Sequence, residues 1–147
     1  MKRIVVSLFI FLIIIIIVLI CSTRIGKIDN VSIDYGSSIK FSELEIKSAV
    51  ETVKAKFKSF HGCVLTKLWY DENSSDIYGK NYLLGNEKLF NEVGEDNILI
   101  IHSDFIADKG ADYGSADQSI SHKNWVWILI RNNNDSNWEL LTYGPKT

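Results

Sequence analysis

Two residues near the middle of the chain, His102 and Asp104, could do acid–base chemistry together. In a strand, residues two apart point to the same face, so an imidazole and a carboxylate at i and i+2 can share a proton. They are the weak catalytic candidates, with either group as the general base. Ser103 points the other way in such a strand, which takes it out of a nucleophilic triad. The simpler reading of His102 and Asp104 is a half-exposed polar face at a strand end. His61 and His122 stand far from His102 in sequence, and no two of the three have metal-ligand spacing. The acidic groups Asp71, Glu72, Asp76 and Asp108, Asp112, Asp117 lack the offsets of a calcium loop and read as solvated loop charge. No metal and no cofactor is expected.

The aromatic residues are the candidates for ligand binding: Trp69, Tyr70, Trp125 and Trp127. Trp125 and Trp127 share one face of their strand, while Trp69 and Tyr70 point to opposite faces of theirs. Such rings could line a pocket for a ring or acyl chain, or form a sticky interface. They could also be core and cross-strand packing.

These residues must be positioned by a domain that starts after a long apolar run. Residues 4–21 contain Ser7 and no charge, and include five consecutive isoleucines, Ile13 to Ile17. Eighteen residues at about 1.5 Å each span about 27 Å, close to the hydrocarbon thickness of a bilayer. Lys2 and Arg3 precede the run, which places the N-terminus inside and residues 30–147 outside the cytoplasm. Three readings of the segment stay open. It is an uncleaved transmembrane signal anchor, a cleaved signal peptide without a small-residue cleavage site, or a lipoprotein signal. In the last, Val18-Leu19-Ile20-Cys21 resembles a lipobox with Cys21 lipidated, although Ile20 stands where a small residue is usual. The expected organisation is 1–21 as anchor or lipoprotein signal, 22–40 as tether, and 41–147 as one domain.

The chain has 16 basic and 18 acidic residues and two cysteines, Cys21 and Cys63. Without Lys2 and Arg3 the balance is 14 against 18, the wrong sign for a nucleic-acid binder. Cys63 reads as a small buried hydrophobe.

Ser42-Glu43-Leu44-Glu45 is a capping box, with Phe41 and Ile46 as the hydrophobic staple. Ile46, Ala49, Val50, Val53, Phe57 and Phe60 then recur on one face of a helix over 43–61, and Gly62 ends it. Strands are expected at 63–70, 97–107, 124–131 and 138–143, from short runs rich in β-branched and aromatic residues. A short strand at 31–33 is also compatible. Residues 71–76 read as a polar break, 77–93 as an irregular helical piece, and 132–137 as an Asn-rich turn. Parallel crossovers are not expected, because only the connection after the first of the four strands can hold a helix. The fold class is α+β: a membrane helix, then one long helix packed on a curved antiparallel sheet of about four strands.

The closing hairpin carries a resemblance. Trp125-Val126-Trp127-Ile128-Leu129-Ile130-Arg131, a polar turn, then Trp138-Glu139-Leu140-Leu141-Thr142-Tyr143-Gly144 resembles the end of NTF2-like (cystatin-like) α+β domains. In order of elements it extends over residues 40–147, and the chain is similar to small uncharacterised membrane-tethered or lipoprotein versions from Gram-positive bacteria. The resemblance implies a sheet wrapped around the helix with a conical pocket between them. It supplies no catalytic residue. The expected function is therefore a non-catalytic domain of the cell envelope, exposed outside the membrane, that binds a partner protein or a small apolar ligand. The alternative is a small enzyme using His102 or Asp104 in an NTF2-like pocket.

Overall fold

A computed structural model describes residues 2–23, 25–133 and 137–146. Part of the Asn-rich turn, 134–136, therefore lies outside the described residues. The apolar run forms α1, Lys2–Thr23, and the side chains of residues 6–17 are exposed along it. Among the described residues no helix is long and apolar enough to cross a membrane. The stretch with described side chains, 6–17, covers only about 18 Å at helical rise. Cys21 falls in α1, but its side chain lies outside the described set.

The first strand is β1, Ser32–Asp34, followed by α2, Glu43–Phe57. The capping box is formed as read. The Ser42 N–H donates to the Glu45 carboxylate at 2.7 Å, and the Glu45 N–H donates to Ser42 Oγ at 3.3 Å. The helix stops four residues short of the expected 61, and Gly62, at φ +75°, turns the chain into β2, Cys63–Trp69. Next come α3, Glu72–Leu84, and α4, Glu87–Val93, with a 3-10 turn at Glu95–Asn97. The polar break at 71–76 is in fact a helix start: Asp71 caps α3 by accepting the Ser74 N–H at 2.7 Å. Gly79 lies inside α3 where the helix meets the sheet, since a Cβ there would sit 3.2 Å from Ile98. Strands β3, Ile98–Ala107, β4, Ile120–Ile130, and β5, Glu139–Pro145, complete the chain.

The result is an α+β fold, with two corrections to the expected sheet. It has five strands in the order β1-β2-β3-β4-β5, and it is mixed. Strand β1 pairs parallel to β2, with Ile33 opposite Leu68, and α2 is the crossover between them. The short 31–33 segment thus counts as a strand, and a crossover lies where none was expected. The other three pairings are antiparallel. Each has one register shift, and such bulges bend and twist a sheet. The tether is also shorter than 22–40. Lys27 bridges to Val64 in parallel, so the chain is already laid on the edge of β2 there.

Strand alternation sends side chains to two cores. On one face Leu65, Leu68, Leu99, Ile101, Phe105, Trp127 and Leu129 meet the stripe of α2. On the other, Ile98, Ile100, Val126 and Ile128 meet Leu83 of α3. The sheet is therefore a middle layer between α2 and the α3–α4 pair, whereas one helix on one face was expected.

Candidate functional site

The face expected to hold a pocket carries closely packed rings. Trp127 is completely buried under α2, with rings of Phe60 at 5.3 Å and Tyr143 at 5.1 Å, and its indole N–H donates to Ser103 Oγ at 2.8 Å. Trp125 is 6% exposed, against Phe105 and Tyr113. Tyr70 is also in this core, edge-on to Phe41. Three of the four aromatic candidates are thus buried in packing, and the exposed ring beside them is Tyr113, at 5.3 Å from Trp125. The physical reason is the bulky stripe of α2, whose Phe57, with Phe60 just beyond it, fills the hollow of the sheet.

Trp69 differs. The register shift between Leu65 and Lys67 turns it to the α3 side, where it is half-buried and stacks on His102 at 5.5 Å. The His102 Nε2 lies 2.8 Å from Ser74 Oγ, and the edge of Tyr78 stands at 6.2 Å. His102 is 2% exposed, and its Nδ1 is buried without a partner among the described residues. Burial, joined by the nearby Lys146 ammonium and opposed by Asp71, pushes its pKa down to about 4.

Asp104 does not join it. Its carboxylate accepts the Asn124 N–H at 3.0 Å and a bond from Lys123 Nζ at 3.1 Å. Between Ser103 and Phe105 the register with β4 shifts, and Asn124 takes φ +53° opposite the break. Asp104 is thus the residue that holds a bulge together. Among the described residues no group of three or more His, Cys, Asp or Glu side chains could hold a metal.

A neutral buried histidine makes stability depend on pH in a defined direction. The unfolded chain, with an ordinary histidine near 6.5, binds the proton more readily than the fold. Stability is then complete above about pH 6.5 and falls as pH drops towards 4. The loss attributable to this group is up to about 3 kcal/mol. Urea unfolding at several pH values checks it: the midpoint should fall across this window, and His102→Leu should flatten the slope. An equally steep slope in the variant would rule out His102 as its source.

The opening in the fold lies beside this cluster. Helix α3 lies over β3 and leaves β4 and β5 partly bare on that face. The groove between has a volume of about 460 Å³. Val126 and Ile128 form its floor, Tyr78 and Tyr82 its helix wall, and Thr142–Lys146 its strand wall. The two tyrosines are i and i+4 on α3, one turn apart. The Lys146 ammonium lies 5.1 Å from the centre of the Tyr78 ring. Beyond Tyr82 a second hollow of about 400 Å³ continues along α4 past Leu89 to Leu141.

No protein family, characterised protein or solved structure matches the chain. The groove is therefore read from its own residues. Sequence reasoning passed over Tyr78, Tyr82 and Lys146. The pair at i and i+4 was a usable signal once Asp71 is recognised as a helix cap. Lys146 had none, because only the strand pairing of β5 to β4 brings it to α3.

Proposed function

We propose that the chain is a non-catalytic binding domain of the cell envelope, held by residues 4–21 in a membrane with its folded part on the extracytoplasmic side. Its ligand is a small apolar molecule with an anionic end, seated in the groove between α3 and β4–β5. The observation that carries the reading is the groove itself: an aliphatic floor, two tyrosine faces and one cation at the rim. Pockets for small molecules combine a mostly apolar lining with few polar groups in this way.

The membrane part of the proposal is supported by the uncharged run 4–21 and by the exposed apolar side chains of 6–17. Insertion as an anchor and lipidation at Cys21 both agree with it. The NTF2-like relationship also stays a proposal. Helix α2 lying on a bulged sheet supports it, whereas the filled space under α2 moves the binding site to the opposite face from the one the resemblance implies. The enzyme alternative finds no supporting geometry, since His102 and Asp104 engage different partners.

Full-length protein in nanodiscs, titrated with phenylbutyrate by calorimetry, tests the reading. Tyr78→Ala and Tyr82→Ala should each weaken binding about tenfold, the loss expected for one aromatic contact with its buried area. Lys146→Glu should weaken the carboxylate more than the matching alcohol. No binding, or equal binding by all variants, would refute the groove as the site.

A further inference from the structure

The junction between the apolar run and the folded domain is very short. Gly26 is already part of the fold: its N–H donates to the Lys58 carbonyl at 3.0 Å, just past the end of α2. A Cβ on Gly26 would sit 2.1 Å from the Phe57 carbonyl oxygen, so only glycine allows the chain this close. One residue later Lys27 donates to the Cys63 carbonyl and accepts the Leu65 N–H, both at 2.9 Å. Only residues 22–25 separate Cys21 from this attachment.

Five peptide links from Cys21 to Gly26 reach about 18 Å when fully stretched. The headgroup layer takes up roughly 6 Å of that. The fold is much longer than the remainder. Strand β3 alone, with ten residues, runs about 30 Å from pole to pole. Gly26 joins the pole made by the start of β2, the end of β3, and the 108–119 loop, which is tied to it by Asp112 N–H on the His61 carbonyl and Asp108 N–H on the Gly62 carbonyl.

We infer that this pole, His61–Gly62 with the 108–119 loop, is a membrane-contact surface held against the lipid headgroups of the bilayer in which α1 sits. The inference rests on the membrane reading of residues 4–21. The pole carries charges of both signs, Lys109 beside Asp108 and Asp112, so headgroup attraction is not what holds it. Chain length does. The opposite pole, with fully exposed Ile39, is kept away from the bilayer, and the groove faces sideways along it.

The test uses full-length protein with Cys21→Ser in nanodiscs containing a headgroup-attached quencher lipid. A fluorophore is placed at Lys109→Cys or at Ile39→Cys. Cys63 stays unlabelled, because burial, with Asp112 and Asp108 nearby, pushes its thiol up to about 11. Quenching should be several-fold stronger at position 109 than at 39. A flexible insert of about twelve residues between Ile25 and Gly26 should abolish that difference, whereas salt at about 0.5 M should leave it intact. Equal quenching at both positions, or quenching that the insert does not change, overturns the inference. The membrane reading is checked separately: it fails, and the inference with it, if the protein leaves bilayers under an alkaline wash.

Discussion

Trp127→Ala is expected to cost about 3–5 kcal/mol of stability, a large part of what holds a domain of this size together. The indole is completely buried at the centre of the α2 face, within ring contact of Phe57, Phe60 and Tyr143. Truncation removes that burial and leaves a cavity that α2 cannot close, because its own stripe is pinned on both sides. It also strips Ser103, itself fully buried, of the donor to its hydroxyl. Chemical denaturation measures the loss. Trp127→Phe should recover more than half of it by filling most of the space. Were Trp127 a ligand contact on an open face, alanine would weaken binding and leave stability nearly unchanged. That outcome would refute the packing described here.

Glu45→Ala is expected to destabilise by about 3 kcal/mol, from one charged hydrogen bond and a helix cap, although Glu45 is partly exposed. The effect arises at its partner. Arg131 is 5% exposed, and its guanidinium bonds to the Glu45 carboxylate and to Asn97 Oδ1, with the Trp138 ring centre 4.5 Å away. Removing the carboxylate takes a charged hydrogen bond from a buried cation and also opens the capping box of α2. Arg131→Met should cost less, because a long apolar side chain can still pack on Trp138 and Phe41 and leaves no buried charge. Glu45→Ala with Arg131→Met should therefore be more stable than Glu45→Ala alone. A double variant weaker than Glu45→Ala would show that the charge pair is not the source. For Glu45, burial alone would raise the carboxyl pKa. The bonds from Ser42 and Arg131 outweigh it, and the net shift is downward. This part of the stability is therefore present above the ordinary glutamate range and lost as pH falls through the lowered folded value.

Much of the architecture was legible because it rests on local rules. The capping box at Ser42 and Glu45, the α2 stripe and the positions of β2, β3 and β4 follow from hydrogen-bonding groups and periodicities contained within a dozen residues. Boundaries slipped where neighbours decide them. Strand β4 begins at Ile120 rather than 124 because β3 offers Ala107 as a partner there. Strand β1 was too short to stand out, since three residues form a strand only when an existing edge, that of β2, receives them.

The candidate site shows the division more sharply. The residue types were visible in one dimension: aromatic rings on alternating strands, a histidine two residues from an aspartate, and an apolar run with a basic start. Which rings are core and which line an opening was decided in three dimensions. The bulge at Thr66 changes the phase of β2 and turns Trp69 away from Tyr70's core, whereas Asp104 keeps the face of His102 and is taken up by Lys123 and Asn124, where β4 carries an extra residue. Pairing of β5 with β4 then carries Lys146 to Tyr78, a neighbour 68 positions away in the chain. Local sequence determines whether a segment can be a helix or a strand, because backbone hydrogen bonding and side-chain period act over a few residues. The face a side chain occupies and the charge it meets depend on register between distant strands, and that is settled only when the whole sheet closes on its two helical layers.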